Sequence, residues 1–253
     1  MSFAVGCAPL PPVVYCLFDR TGLTCSGSLR QDGKRSMLEL GGGVWLLLVG
    51  SFLVGSIPFC WLVARAIGID LLRQGSGNPG ATNLFRLAGK QFGALGLCLD
   101  VSKGAVPVLV CMALEPGEGS TLVWILVGLC SVLGHCFSPF LRGRGGKGVA
   151  TTGGVLLVLE PWIAVTMLVS WGLARIISDS VGIASVVAAA TGVLISLTLL
   201  VFSDQVAGWS MIANSTTATV LGWVLLALSC LVIVRHHSNI REYCQARREE
   251  SPR

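Results

Sequence analysis

Charge is what this sequence lacks most. Asp, Glu, Lys and Arg make up 12% of the 253 residues, against 53% hydrophobic ones, and the mean hydropathy is +0.76. Soluble domains carry about 25% charged residues. A deficit spread over the whole length excludes an ordinary soluble domain and indicates an integral membrane protein. Zinc-ligand patterns are missing too. The ten cysteines form no C-x-x-C pair and no His/Cys cluster at zinc spacing, so no metal site is read here. Most lie in apolar runs, where Cys acts as a small hydrophobe. Gly-x-Ser-x-Gly nucleophile elbows and H-x-x-x-x-D motifs are equally absent.

What is there is a series of long apolar runs. Val44 to Ala64, 21 residues, is long enough to cross a hydrocarbon core. Gln91 to Leu114 is a second span, interrupted by Asp100 and Lys103, and Leu122 to Leu141 a third, with His135 near its end. Val149 to Ile177 is too long for one straight helix and holds Glu160-Pro161 in its middle. The residue before a proline is pushed out of helical geometry, so this run splits into a short fourth span and a fifth from about Trp162. Val181 to Phe202 is the sixth and Thr219 to Val234 the seventh.

Basic residues fall on alternate loops. Arg65, Arg73, Arg86 and Lys90 follow span one. Arg142, Arg144 and Lys147 follow span three, Arg175 ends span five, and Arg235, Arg241, Arg247, Arg248 and Arg253 follow span seven. The other loops hold Glu115, Glu118 and Asp204 without Lys or Arg. Lys/Arg-rich loops stay cytoplasmic. The expectation is therefore an all-α protein of seven transmembrane helices, with the N-terminus outside and the C-terminus cytoplasmic.

Residues 1–36 oppose that rule, since Arg20, Arg30, Lys34 and Arg35 precede span one. They also lack the order of a signal peptide. Two explanations stand: a native start at Met37, or a tolerated disordered extension. The expected divisions are an N-terminal extension over 1–36, a membrane domain over 37–245 and a short charged tail over 246–253.

Four polar stretches carry the chemistry. The first, "GSGNPGATNLFR", spaces Gly75, Gly77 and Gly80 as G-x-G-x-x-G and adds Ser76, Asn78, Thr82, Asn83 and Arg86. Glycines let backbone N–H groups approach an anion closely. No strand precedes the loop, so it is no dinucleotide fingerprint, and a plain interhelical turn remains the alternative. The second, "LDVSKGAVP", puts Asp100 and Lys103 on one helix face, where they can pair. Such a pair inside a membrane is a site by default, or else a structural pair that positions a neighbouring loop.

The third, "GHCFSPFLRGRGGKGVAT", resembles a Walker A loop but has Leu141 six residues before Lys147 and Gly148 after it. It reads as a second anion loop, with Arg142, Arg144 and Lys147 as counter-charges; the alternative is a basic membrane-surface loop. In the fourth, "VRHHSNIREY", His236 and Asn239 share a helix face if the helix continues, while Arg235 and His237 point elsewhere. Two anion loops and a His/Asn end on one membrane face suggest a phosphorylated substrate with a greasy half or partner.

These motifs, with "GSIP" at Gly55 to Pro58, occur in an order and spacing that resembles the bacterial acyl-phosphate:glycerol-3-phosphate acyltransferases over about residues 40–245. The resemblance implies a seven-helix inner-membrane enzyme with a cytoplasmic active site. It would move a fatty acyl group from acyl phosphate to glycerol 3-phosphate, giving lysophosphatidic acid and phosphate, as the first acylation of phospholipid biosynthesis. It implies no coenzyme A, acyl carrier protein, metal or other cofactor, and no nucleic acid; the bilayer and the two substrates are the partners.

By the family's motifs, Ser76, Arg86, Lys147, His236 and Asn239 are the catalytic candidates. Gly75, Gly77, Asn78, Asn83, Arg144, Gly145 and Gly146 are the substrate-binding candidates, with Asp100, Lys103 and His135 in support. His237 replaces the family's usual arginine. Between spans five and six the family resembles "R-Y-V-S-L-x-S"; Asp179 to Ser185 lacks the arginine, the tyrosine and the first serine and keeps Ser185. The proton acceptor stays open between His236 and a phosphate oxygen of the donor. A membrane transporter for an organic phosphate and a non-catalytic scaffold are the competing classes. The absence of an internal repeat counts against transport.

Overall fold

A computed structural model describes residues 37–114, 121–206 and 214–250. Residues 1–36, with the expected extension, and Glu115, Glu118 and Arg253 lie outside the described residues. Two compact units divide the chain, 1–40 and 41–253. Of the first, only 37–40 are described, and they are helical. The rest concerns the second.

The described residues are all-helical. The order is α1 (Met37–Ser56), α2 (Phe59–Ala66), α3 (Ala81–Ala88), α4 (Lys90–Leu114), α5 (Thr121–Cys136), α6 (Val149–Leu159), α7 (Pro161–Ser178), α8 (Val181–Val201), α9 (Ser203–Val206), α10 (Ser215–Arg235) and α11 (His237–Glu250), with a 3₁₀ turn over Pro139–Leu141. Among the described residues, six stretches are long and apolar enough to cross a membrane: Gly42–Ala66, Lys90–Leu114, Thr121–Leu141, Pro161–Ser178, Val181–Val201 and Ser215–Arg235. The expected split at Glu160-Pro161 is present. Glu160 leaves helical geometry at φ −147°, ψ 78°, and Pro161 opens α7, where its missing N–H costs nothing. The expected fourth span is α6, only 11 residues and so about 16 Å long at 1.5 Å per residue. That falls short of a hydrocarbon core of roughly 30 Å. α11 runs on to Glu250, through the boundary expected at 245.

The core between the long helices is built by Val108, Ile125, Val132, Leu156, Leu159, Leu221 and Leu225, all nearly without exposure. The outer surface is apolar as well: Ile176 and Ile177 are about 80% exposed, which suits side chains that face lipid. Since lipid tails are as apolar as leucine, helices in membranes associate by close backbone approach at small residues. Two pairs do so here. A Cβ at Gly104 would strike the Thr151 carbonyl, and one at Gly154 the Val101 carbonyl, so α4 and α6 touch backbone to backbone. Gly55 against Ser131 and Gly134 against Phe52 do the same for α1 and α5. A second, smaller cluster of Cys60, Ala64, Leu71 and Leu84 ties α2 and α3 together beside the start of α4. These crossings fix the end of the bundle where the polar loops meet.

Candidate functional site

The first glycine loop is held from within by Asn83. Its Oδ1 accepts the Ser76 N–H at 3.0 Å, and its Nδ2 donates to the Leu71 and Gln74 carbonyls at 3.1 and 3.0 Å. The space beside Gly75 is filled by Asn83 Oδ1, and Gly75 and Gly77 sit at φ +62° and +69°. Such backbone is open to glycine and strained for other residues. Asn83 is 2% exposed, so its whole polar end is committed to the loop. Ser76 and Arg86 are exposed, and Asn78 is half-buried.

Beneath this loop lies a buried ionic cluster. Asp100 Oδ1 meets Lys103 Nζ at 2.9 Å, and Asp100 Oδ2 accepts Cys60 Sγ–H at 3.1 Å. Lys103 also donates to the Ile57 carbonyl at 2.9 Å. His135 Nδ1 lies 3.7 Å from Asp100 Oδ1 and makes no hydrogen bond. The expected Asp100–Lys103 pair is therefore formed, and His135 stands beside it. A small recess lined by Pro79, Asp100, Lys103, His135, Gly145 and Gly146 joins the cluster to both glycine loops.

The second loop is pressed onto His135. Gly146 N–H donates to the His135 carbonyl at 3.1 Å, and Gly143 N–H to the Ser138 carbonyl at 2.8 Å. A Cβ at Gly145 or Gly146 would run into the His135 backbone or ring. Arg142, at φ +55°, and Arg144 are exposed. Lys147 is half-buried and its Nζ donates to Asn239 Oδ1. From Lys147 through Thr151 no backbone N–H reaches an acceptor among the described residues. These are the orphan donors of the α6 start, where the helix dipole is positive and no side chain caps the end. Lys147, the glycine backbone and the helix start adjoin along the chain, and each is a group suited to an anion.

The fourth stretch corrects one expectation. The helix does not continue through His236: α10 ends at Arg235, His236 turns at φ −101°, ψ 8°, and α11 begins at His237. Arg235 does not point elsewhere. It donates to the Gly145 carbonyl at 2.9 Å and stacks 5.3 Å from the Phe137 ring. His237 is exposed.

His236 is buried, with Nδ1 2.8 Å from the Val232 carbonyl. A carbonyl only accepts, so the proton sits on Nδ1 and Nε2 keeps its lone pair. Burial pushes the His236 pKa down to about 4, helped by the cations of Lys147 and Arg235 and opposed by the Val232 bond. Burial also lowers the Lys147 pKa; Glu242 opposes this, and Arg235 and Arg86 add to it.

Lys147, His236, Asn239, Gly145 and Gly146 are thus brought together, with Arg86 near enough to act on Lys147. Ser76, Asn78 and Asn83 belong to the adjoining first loop. Sequence reasoning missed Arg235 and Gly182. A Cβ at Gly182, in the first turn of α8, would collide with the Asn239 side chain. Ser185 is buried, donating to the Val181 carbonyl at 2.8 Å and accepting from Trp171 Nε1 at 3.3 Å.

A helical bundle with membrane-length spans, and with basic groups and unpaired amide N–H groups beside the polar loops, is an integral membrane protein. The chain belongs to the glycerol-3-phosphate acyltransferase family, whose profile matches residues 45–246. Curated glycerol-3-phosphate acyltransferases of Anaeromyxobacter sp. (strain Fw109-5) and Bordetella pertussis are 39% and 37% identical to it, covering 78% and 77% of this chain and 90% and 85% of their own. Two crystal structures of PlsY (YgiH), an integral membrane glycerol 3-phosphate acyltransferase, share its fold. The glycerol 3-phosphate form has a TM-score of 0.68 at 34% identity and the lysophosphatidic acid form 0.65 at 32%, each covering 81% of this chain and 94% of that one.

Proposed function

We propose that this chain transfers a fatty acyl group from acyl phosphate to the 1-hydroxyl of sn-glycerol 3-phosphate. The products are 1-acyl-sn-glycerol 3-phosphate and inorganic phosphate, and the reaction is the first acylation of phospholipid biosynthesis. The observation that carries this is the bond from Lys147 to Asn239, next in the chain to Gly145, Gly146 and the unpaired N–H groups of the α6 start and beside neutral His236. The relatives named for glycerol 3-phosphate and lysophosphatidic acid support the acceptor and the product.

In this reading Lys147 and the α6 N–H groups hold the acyl donor's phosphate and stabilise charge as it develops. Arg86 grips the phosphate of glycerol 3-phosphate. Ser76 and Asn239 orient its glycerol, while Asn83 holds the Ser76 loop in shape. The 1-hydroxyl oxygen bonds to the acyl carbon, and the bond from that carbon to the phosphate oxygen breaks. The electron pair leaves with phosphate, and the hydroxyl proton passes to His236 Nε2 or to a phosphate oxygen. The mixed anhydride is already activated, so no covalent enzyme intermediate, metal, coenzyme A or acyl carrier protein takes part.

The topology in this reading is seven crossings, α6 being a short fourth one. The site and C-terminus face the cytoplasm of a bacterial inner membrane. The test is formation of 1-acyl-sn-glycerol 3-phosphate by purified protein given glycerol 3-phosphate and, in turn, palmitoyl phosphate, palmitoyl-coenzyme A or palmitoyl carrier protein. Product with palmitoyl phosphate alone, accompanied by equimolar phosphate release, is the expected result. Uptake of glycerol 3-phosphate into vesicles without acylation would overturn the proposal in favour of a transporter.

A further inference from the structure

Arg235 ends α10 against the second glycine loop, 90 residues away in the chain. Three features combine in it and in no other described arginine. Its guanidinium is fixed twice, by the 2.9 Å bond to the Gly145 carbonyl and by the Phe137 ring. It makes no ion pair among the described residues, unlike Arg65, Arg73 and Arg175, which meet Asp70 or Asp179. Its Nε is buried with no hydrogen-bond acceptor there. Buried polar groups are nearly always paired, and an unmade bond on a charged group is costly. A preset, charged fork with a spare buried donor, beside Lys147 and the free N–H groups of α6, fits a tetrahedral oxyanion.

We propose that Arg235 is a phosphate-binding residue of this site, sharing with Lys147 one of the two phosphate groups that the reaction brings in. The inference rests on the acyl-transfer reading for the identity of the anion. Its ligand is a phosphate monoester or an acyl phosphate, which present the same oxygens to a guanidinium. The lowering of both the Lys147 and His236 pKa values by Arg235 agrees with its place in the site. An anion bound there neutralises part of the charge that Lys147, Arg235 and Arg86 concentrate.

The test uses the full chain in detergent, with Arg235→Lys and Arg235→Gln variants. Binding of inorganic phosphate is measured by calorimetry, independently of any acyl transfer. KM is measured separately for palmitoyl phosphate and glycerol 3-phosphate. Arg235→Lys keeps the charge but loses the fork, and phosphate should bind about tenfold more weakly. Arg235→Gln should weaken it on the order of a hundredfold. KM should rise for one substrate and stay within about twofold for the other, by the same single contact; the one that rises identifies the shared phosphate.

Unchanged phosphate affinity in a folded Arg235→Lys variant overturns the proposal, even if turnover drops, because the side chain is then only a strut for the loop. Should Arg235→Gln not fold, Arg235→Lys decides alone. Wild-type protein that binds phosphate but transfers no acyl group would defeat the acyl-transfer reading while leaving this test intact.

Discussion

Lys147 and Asn239 stand 92 residues apart in the chain and are joined by a hydrogen bond from Nζ to Oδ1. That bond closes the second glycine loop onto the helix after the last long span. Lys147 also opens the stretch 147–151, whose backbone N–H groups meet no acceptor among the described residues.

Lys147→Ala separates a phosphate contact from a mere surface charge. Arg142 and Arg144 remain exposed on the same loop, so a surface role predicts almost no effect. A transition-state contact predicts a loss on the order of 10²–10³ in turnover with normal membrane insertion. Lys147→Arg should rescue only in part, because a planar fork replaces a compact charge. Arg142→Ala should cost little. Turnover of Lys147→Ala within a few fold of wild type would remove this residue from the site.

Gly182→Ala places a methyl group where Asn239 now lies. Asn239 must shift and carry Lys147 with it, and a displacement of about 1 Å costs on the order of 10²-fold in rate. Gly172→Ala, on neighbouring α7 with open space around it, is the matched control and should leave turnover unchanged. Steady-state rates of the two purified variants decide the matter; equal rates would show that Asn239 has room to move.

Asp100→Asn leaves Lys103 buried without its counter-charge. Breaking one partner of a buried pair costs about 3–5 kcal/mol, whereas replacing both with apolar groups is often neutral. Thermal unfolding in detergent should therefore show a large loss for Asp100→Asn. Most of the stability should return in Asp100→Asn/Lys103→Met. If turnover stays low in the double variant, the pair does more than hold α4 against α2.

His236 sets a pH dependence of stability. Its folded pKa, near 4, lies below the ordinary histidine value of 6.5. Between those values the unfolded chain binds a proton that the folded chain refuses, so stability falls as pH drops from 6.5 towards 4 and is unaffected above 6.5. His236→Gln should flatten that part of a Tm-against-pH curve. Lys147→Ala should narrow it from the acid side and reduce the loss, since removing a cation that disfavours the imidazolium raises the folded pKa towards 6.5. A His236→Gln curve that overlays wild type would show that another group titrates there.

The long helices were legible because lipid demands one thing of a span, an unbroken apolar length, and Glu160-Pro161 announces its own break. The two glycine-rich loops were legible through their glycines and basic residues. What escaped was tertiary. Arg235 was assigned to the wrong side because counting faces presumes a continuing helix, and His236 ends it. Gly182 carries no signal of its own; its meaning comes from the Asn239 side chain that fills the space beside it. Asn83 shares its motif with Ser76 and Arg86, yet its amide is spent on the loop backbone, a distinction that only hydrogen-bond partners reveal. Cysteines placed near Glu160 and Asp204 count the crossings: both should label from outside if the 11-residue α6 crosses, and from inside if it does not.

Where α4 crosses α6, and α1 crosses α5, the contact is main chain against main chain through glycine. A joint of that kind has no rotamers. Side chains that interlock helices elsewhere regain freedom when packing loosens, and that gain helps heat to pull them apart. At Gly104, Gly154, Gly55 and Gly134 there is no such gain to collect. Warming should therefore soften the exposed tips of the two polar loops while the helices that carry Asp100, His135 and the start of α6 keep their spacing.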